Sequence, residues 1–150
     1  MKYTIYQAGP LFSEAEQNFH RMMKAELEKA GHTVIWPGEL MTAEEIRAQG
    51  ESAAQQKFIL NTNKAAIADR CNCMVALLDG TQVDDGTAWE VGYAFGRREA
   101  LKINYPIFGI RTDFRQAGEP GALCNAMIEA ALDGYARNIP DLVRLIESHK

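Results

Sequence analysis

The sequence holds little of what marks a metal, membrane or nucleic-acid protein. Only three of its 150 residues are cysteine, Cys71, Cys73 and Cys124, an odd count; neither they nor the three histidines take the spacing of a tetrahedral metal site. No apolar stretch is long enough to span a bilayer. The N-terminal MKYTIYQAGPLF has one lysine and a short apolar run, without a signal peptide's long apolar core and small-residue cleavage site. A soluble, reducing, cytoplasmic setting is therefore expected. Positive charge is also short: 16 Lys and Arg against 20 Asp and Glu give a net charge of -4, which disfavours a broad phosphate-binding footprint and points to a small ligand. Neither G-x-x-x-x-G-K-[ST] nor a G-x-G-x-x-G after a strand is present, so the usual phosphate cradles are missing.

What is present reads as an ordinary globular chain, 47% hydrophobic and 24% charged, of a length expected to form a single domain over residues 1–150. Lys2 to Ala8 reads as a strand closed by Gly9-Pro10. From Ser13 the apolar residues Phe12, Phe19, Met22, Met23, Leu27 and Ala30 recur at helical spacing, and Gly31 stops the helix. His32 to Trp36 reads as a second strand, ended by Pro37-Gly38. Met41 to Gln56 is polar and reads as a helix or an ordered surface excursion, and Lys57 to Asp69 as a helix. The continuous apolar run Cys73 to Leu78 has the character of a strand buried on both faces of a parallel sheet. A helix over Gly86 to Arg98 and a strand over Ile103 to Ile110 follow, then a helix over Gly121 to Leu132, a brief strand over Gly134 to Arg137 and a closing helix from Pro140 to His149. Strands alternating with helices predict a parallel α/β sheet of about five strands with helices on both faces.

In such sheets ligands sit outside the carboxyl ends of the strands, near the point where strand order reverses. Two loops qualify, Gln7 to Phe12 and Asp79 to Thr87. The second runs into DDGTAWEVGYAFG, residues 84–96, which carries three carboxylates within seven positions. Thr87 and Glu90 fit a capping box, and Asp84 and Asp85 suit a turn before a helix. The same carboxylates, in the first turn of a helix at the sheet's carboxyl edge, also face the expected cleft. There the helix dipole would favour the charged form of Glu90, and an ionised carboxylate is a competent nucleophile toward an electron-poor sugar carbon.

Taken together, residues 6–12 (YQAGPLF), 75–80 (VALLDG), DDGTAWEVGYAFG and 109–115 (GIRTDFR) resemble the nucleoside 2-deoxyribosyltransferase family, in the same order and over most of the chain to about Met127. The resemblance implies a flavodoxin-like (Rossmann-like) α/β fold. It also implies exchange of bases on 2′-deoxyribose with retention of configuration, without metal or organic cofactor. It makes Glu90 the nucleophile and Tyr6 its orienting neighbour. Asp84 becomes the group that holds the sugar 5′-hydroxyl, and Gly9 and Gly86 belong to the substrate-binding segments. Asn125 and Met127 match a pair that a neighbouring subunit contributes, which implies a homo-oligomer, dimer or hexamer, with shared sites. At the position where family members often place a proton-donating Asp, this chain has Asn63, which can donate a hydrogen bond but cannot deliver a proton. Asp69 is the nearest carboxylate. Phe12 is a candidate to stack on the base or to anchor the helix beneath it. Trp89 and Tyr93 read as core or subunit contacts, and Arg111, Asp113 and Arg115 as a loop cluster whose charges pair.

Two other functions compete. A hydrolase of deoxynucleoside 5′-monophosphates needs a phosphate pocket, but Asp84 would repel a phosphate dianion and residues 7–16 contain no Arg or Lys. A non-catalytic nucleotide-binding module shares the fold, because a fold alone implies no function. The expected partners are deoxyribonucleosides and free bases, with neither nucleic acid nor membrane. The polar segment from Pro37 to Glu51 is the expected lid of the base pocket.

Overall fold

Five short strands, Thr4–Ala8 (β1), Thr33–Ile35 (β2), Cys73–Leu77 (β3), Ile107–Ile110 (β4) and Gly134–Ala136 (β5), pair in parallel in the order β2-β1-β3-β4-β5. The computed structural model describes residues 1–115 and 122–149. The strand order is that of flavodoxin-like sheets, and it reverses between β1 and β3. In register, Ile5 faces Cys73 and Ala8 faces Ala76. The carboxyl ends of β1 and β3 therefore finish level, side by side.

A parallel sheet must be covered on both faces, and alternate strand residues divide between two cores. Ile5, Val75, Leu77, Phe108 and Ile110 pack with Met23 and Leu27 of α1 (Glu14–Lys29) and Leu142 and Ile146 of α6 (Ile139–Ser148). Tyr6, Ala8, Met74 and Ala76 pack on the other face with Val91 and Ala94 of α4 (Asp85–Leu101). Each fully buried aliphatic side chain contributes about 1.5–3 kcal/mol. The apolar continuity of β3, buried at all five positions, follows from its central place.

Several boundaries differ from the sequence expectation. The excursion after β2 resolves into a 3₁₀ turn at Pro37–Glu39, a short α2 (Ala43–Arg47) and α3 (Ser52–Ala65), which runs into a wider π-helical turn, Ala66–Arg70. α4 extends beyond Arg98 to Leu101, where Lys102 ends it in a left-handed conformation with φ 53°. Strand β4 begins at Ile107 rather than Ile103, because Ile103 N–H is still bonded to the Arg98 carbonyl and Pro106 has no N–H to give the ladder. The expected helix from Gly121 is a single turn, α5 (Ala126–Glu129), capped by Asn125; Gly121 itself lies outside the described residues. On α1, Met22 is exposed and His20 takes a buried place, so the apolar stripe is narrower than its spacing implied.

Candidate active site

Helix α4 starts where β3 ends, and its first turn fixes the carboxylates. Asp84, not Thr87, is the capping residue: its Oδ2 accepts from Thr87 N–H at 2.9 Å and from Thr87 Oγ1 at 3.0 Å. This corrects the capping-box reading of Thr87 and Glu90. With the cap supplied by Asp84, Glu90 sits beyond the first turn and its side chain is free to point elsewhere. Its Oε1 accepts a 2.6 Å hydrogen bond from the hydroxyl of Tyr6, which rises from the fully buried middle of β1.

The environment of Glu90 also corrects an electrostatic expectation. The helix dipole would have favoured its charged form, yet its carboxyl is pushed up from 4.5 to about 7. Burial is the largest cause; the Tyr6 hydrogen bond opposes it, and the charge of Asp84 reinforces it. Burial pushes the Tyr6 phenol far above its ordinary range, reinforced by Glu90, so Tyr6 remains a donor. A carboxyl poised near neutrality in a cleft is the state expected of a group that changes its bonding during a reaction.

Glu90 and Asp84 open into a cavity of about 390 Å³ at the carboxyl edge of the sheet. Gly9, Phe12, Asn63 and Gly86 line it too, so six of the residues singled out in the sequence meet there: Gly9, Phe12, Asn63, Asp84, Gly86 and Glu90. Leu11, Met41, Ile46 and Ile59 supply apolar wall, and Pro37 and Gly38 join them from the segment expected to form a lid. Asn63, one of the lining residues, has a buried Oδ1 without a hydrogen-bond partner among the described residues. Phe12 is 80% exposed, which removes the alternative that it anchors the helix beneath.

Other expectations fall outside the cavity. Asn125 and Met127, expected at a neighbouring copy's site, do not line the cavity of their own chain: Asn125 Oδ1 accepts from Met127 N–H at 3.0 Å, and Met127 is exposed. Asp69 lies exposed in the π-helical turn and is likewise not among the lining residues. Trp89 is not a core residue; it is 46% exposed and stacks on Tyr93 at 5.3 Å. Arg111, Asp113 and Arg115 do pair, with Asp113 3.0 Å from Arg111 and 2.8 Å from Arg115. Arg111, however, is wholly buried, a tie between loops rather than a surface charge.

A larger cavity of about 620 Å³ lies on the α1 side, lined by Ser13, Glu16, Asp79 and Arg115 among others. Its carboxylates already serve the fold. Glu16 completes the cap of α1, and Asp79 accepts from the N–H groups of Thr112 and Asp113. The smaller cavity differs in holding Glu90, whose raised carboxyl is bonded only to Tyr6, beside the capping Asp84, and it is the candidate site. Among the described residues no group of three or more His, Cys, Asp and Glu has the arrangement to hold a metal ion.

Sequence reasoning cast Thr87 as the cap rather than as the residue that holds it, and missed a buried pair. Thr87 is 1% exposed and fixes Asp84; its place three residues after a helix-capping Asp was the available signal. The buried pair Gln7 and His20 stands behind the Gly9 turn, with nothing in the spacing to announce it.

A carboxyl pushed up by burial, with a phenolic partner, thus stands at the switch point of a flavodoxin-like sheet, where such folds bind small molecules. The sequence pattern of the nucleoside 2-deoxyribosyltransferase family matches residues 5–134, and the chain belongs to that family. An uncharacterized protein of Ureaplasma parvum serovar 3 is 26% identical over 99% of this chain and 98% of its own. A conserved protein of Enterococcus faecalis V583 superposes with a TM-score of 0.73 at 22% identity, covering 98% of both chains. The 2-deoxyribosyltransferase of the psychrotolerant bacterium Bacillus psychrosaccharolyticus gives a TM-score of 0.63 at 24% identity, over 98% of this chain and 92% of that one. These likenesses are ones of fold. No helix among the described residues is long and apolar enough to cross a membrane.

Proposed function

We propose that the chain is a nucleoside 2-deoxyribosyltransferase that exchanges the base of 2′-deoxyribonucleosides through a covalent ester on Glu90. The observation that carries this reading is Glu90, bonded at 2.6 Å by the buried Tyr6 and lining one cavity with Asp84. The ionised Glu90 attacks C1′ from the face opposite the base. The C1′–N bond breaks, and its electron pair leaves with the base, which takes up a proton on a ring nitrogen from water. An incoming base then attacks C1′ through a ring nitrogen and gives up that nitrogen's proton to water, the ester C–O bond breaks, and Glu90 is restored as a carboxylate. Two inversions give retention.

Each neighbour has a role in this scheme. Tyr6 holds one oxygen of Glu90 and leaves the other to react. Asp84 keeps Oδ2 on the helix cap, while Oδ1 is available to the sugar 5′-hydroxyl. Both anions lie near the positive charge that develops on the ring, which is favoured where water is excluded. A 2′-deoxy sugar lacks the electron-withdrawing hydroxyl that would oppose that charge. Asn63 and Phe12 serve the base, by hydrogen bond and by stacking, and Gly9 and Gly86 line the space that takes the substrate.

Asn125 and Met127 serve a neighbouring copy in this reading. The apolar groove beside Glu90, formed by Ile59, Leu60 and Trp89 among others, supports a homo-oligomer, because Leu60 and Trp89 are 41% and 46% exposed in the single chain. Hydrolysis of a nucleoside monophosphate is disfavoured, since the charged residues lining the cavity, Asp84 and Glu90, are both acidic. The test is to mix deoxyinosine with free cytosine. A transferase makes deoxycytidine, a hydrolase releases free sugar, and a binding module yields neither.

A further inference from the structure

Behind the cavity, away from solvent, sits a titratable side chain that the exchange chemistry does not use. His20 of α1 is wholly buried. Its Nδ1 lies 2.9 Å from the side-chain nitrogen of Gln7, and its Nε2 lies 3.1 Å from the carbonyl oxygen of Pro10. The same Gln7 nitrogen donates to the backbone carbonyl of His20 at 3.0 Å. The Gln7 amide therefore presents its donor end, Nδ1 accepts, and the hydrogen resides on Nε2, which donates to Pro10. Burial also depresses the imidazole's pKa, in keeping with a neutral ring.

Two walls of the cavity converge on this ring. The first is the turn after β1. Gly9 has φ 153°, and a Cβ there would come within 2.7 Å of the imidazole, so backbone and ring are in direct contact. From Pro10, held by Nε2, the chain continues into Leu11 and Phe12, which line the cavity. The second is the turn after β2. The imidazole stacks on Trp36 with centroids 5.4 Å apart, and a Cβ at Gly38 would meet the Trp36 ring at 2.5 Å. Pro37 and Gly38 line the cavity as well.

We propose that His20 is a positioning residue: by bonding Pro10 and stacking on Trp36 it fixes the spacing of the two turns and so sets the cavity's affinity for the nucleobase. This rests on reading the cavity as the base-exchange site. The reacting Glu90 hangs from α4 and is bonded by Tyr6 on the opposite face of β1, so His20 acts on base binding more than on the chemical step.

The test uses His20→Asn and His20→Gln in the full chain. Asn keeps an acceptor for Gln7 but is too short to reach Pro10, whereas Gln places a donor near the position of Nε2. His20→Asn raises KM for the acceptor base on the order of tenfold, the equivalent of about 1.4 kcal/mol, while kcat changes by less than about threefold. His20→Gln recovers most of that loss. Unchanged KM in His20→Asn, or a loss that His20→Gln fails to recover, overturns the role. If His20→Asn does not fold, Trp36→Leu takes its place: KM for the acceptor base rises with kcat little changed, and an unchanged KM refutes the proposal. A wild-type chain that exchanges no base overturns the function instead. Calorimetric titration with adenine then decides the role of His20 separately, by weaker binding in His20→Asn restored in His20→Gln, and equal or absent binding overturns it.

Discussion

Tyr6 and Glu90 stand 84 residues apart in the sequence, one on strand β1 and one on helix α4, and their oxygens meet at 2.6 Å. The bond holds the carboxylate against the sheet's carboxyl edge and lowers the cost of its charge there. Its effect is opposed by burial, which dominates and leaves Glu90 near neutrality at about 7.

The first prediction follows from that balance. The reacting form is the anion, so kcat/KM rises with pH through a limb near 7 and levels above it. Asp84→Asn removes a like charge and moves the limb to lower pH; Tyr6→Phe removes a bond that favours the anion and moves it higher. The pH profiles of the three proteins check this, and a limb that ignores both changes contradicts it.

Stability carries the same signature. The folded state binds the Glu90 proton more tightly than the unfolded chain does, so this group's stabilisation is full below about 4.5 and is lost as pH rises through about 7. Urea denaturation of wild type and Glu90→Gln at pH 5 and pH 8 therefore shows wild type losing ground at the higher pH, with the variant flatter.

Asp84 has two duties that separate by mutation. Asn caps a helix about as well as Asp, so Asp84→Asn keeps near wild-type stability, whereas Asp84→Ala loses roughly 1 kcal/mol with the cap. Transfer falls by at least about tenfold in both, because the charge beside the sugar is gone in each. Denaturation midpoints and exchange rates, measured together, check the separation.

The sheet and the carboxylate site were legible because each depends on local pattern. The apolar run of β3 needs burial on both faces, and a helix beginning at residues 84–86 just after it must start at the carboxyl edge. What local pattern hid was competition between partners. The spacing of Thr87 and Glu90 satisfies a capping box, but Asp84 takes the cap and Tyr6, distant in sequence, takes Glu90. The sign of the Glu90 shift was hidden too, since spacing conveys the helix dipole and not the burial that outweighs it. Gln7 and His20 were invisible for a related reason: a polar residue in a strand and a histidine in a helix announce nothing until the fold buries them together.

Gly9→Ala tests the packing behind the site. The added Cβ meets His20 at 2.7 Å and Leu77 Cβ at 2.8 Å on a backbone with φ 153°. Strain and overpacking together cost roughly 1–3 kcal/mol, read as a lower denaturation midpoint.

Arg111→Met tests the tie between loops. The buried guanidinium bonds Asp113 and the carbonyls of Gly80, Arg115 and Leu123. Burial works against the charge of Asp113, but bonds from Gly80 N–H, Arg115 and Arg111 hold its carboxyl down at about 2. Asp113 keeps Arg115 and the Gly80 N–H, so Arg111→Met chiefly leaves carbonyls unpaired and costs roughly 1–3 kcal/mol in equilibrium unfolding.

The most direct measurement is mass spectrometry of the chain after incubation with a deoxynucleoside whose 2′-fluorine slows breakdown of the glycosyl ester. The account predicts one added deoxyfluoro-sugar on the peptide that contains Glu90, absent in Glu90→Gln. A chain that exchanges bases without forming that adduct, or that carries the sugar on Asp84 or another residue, contradicts it.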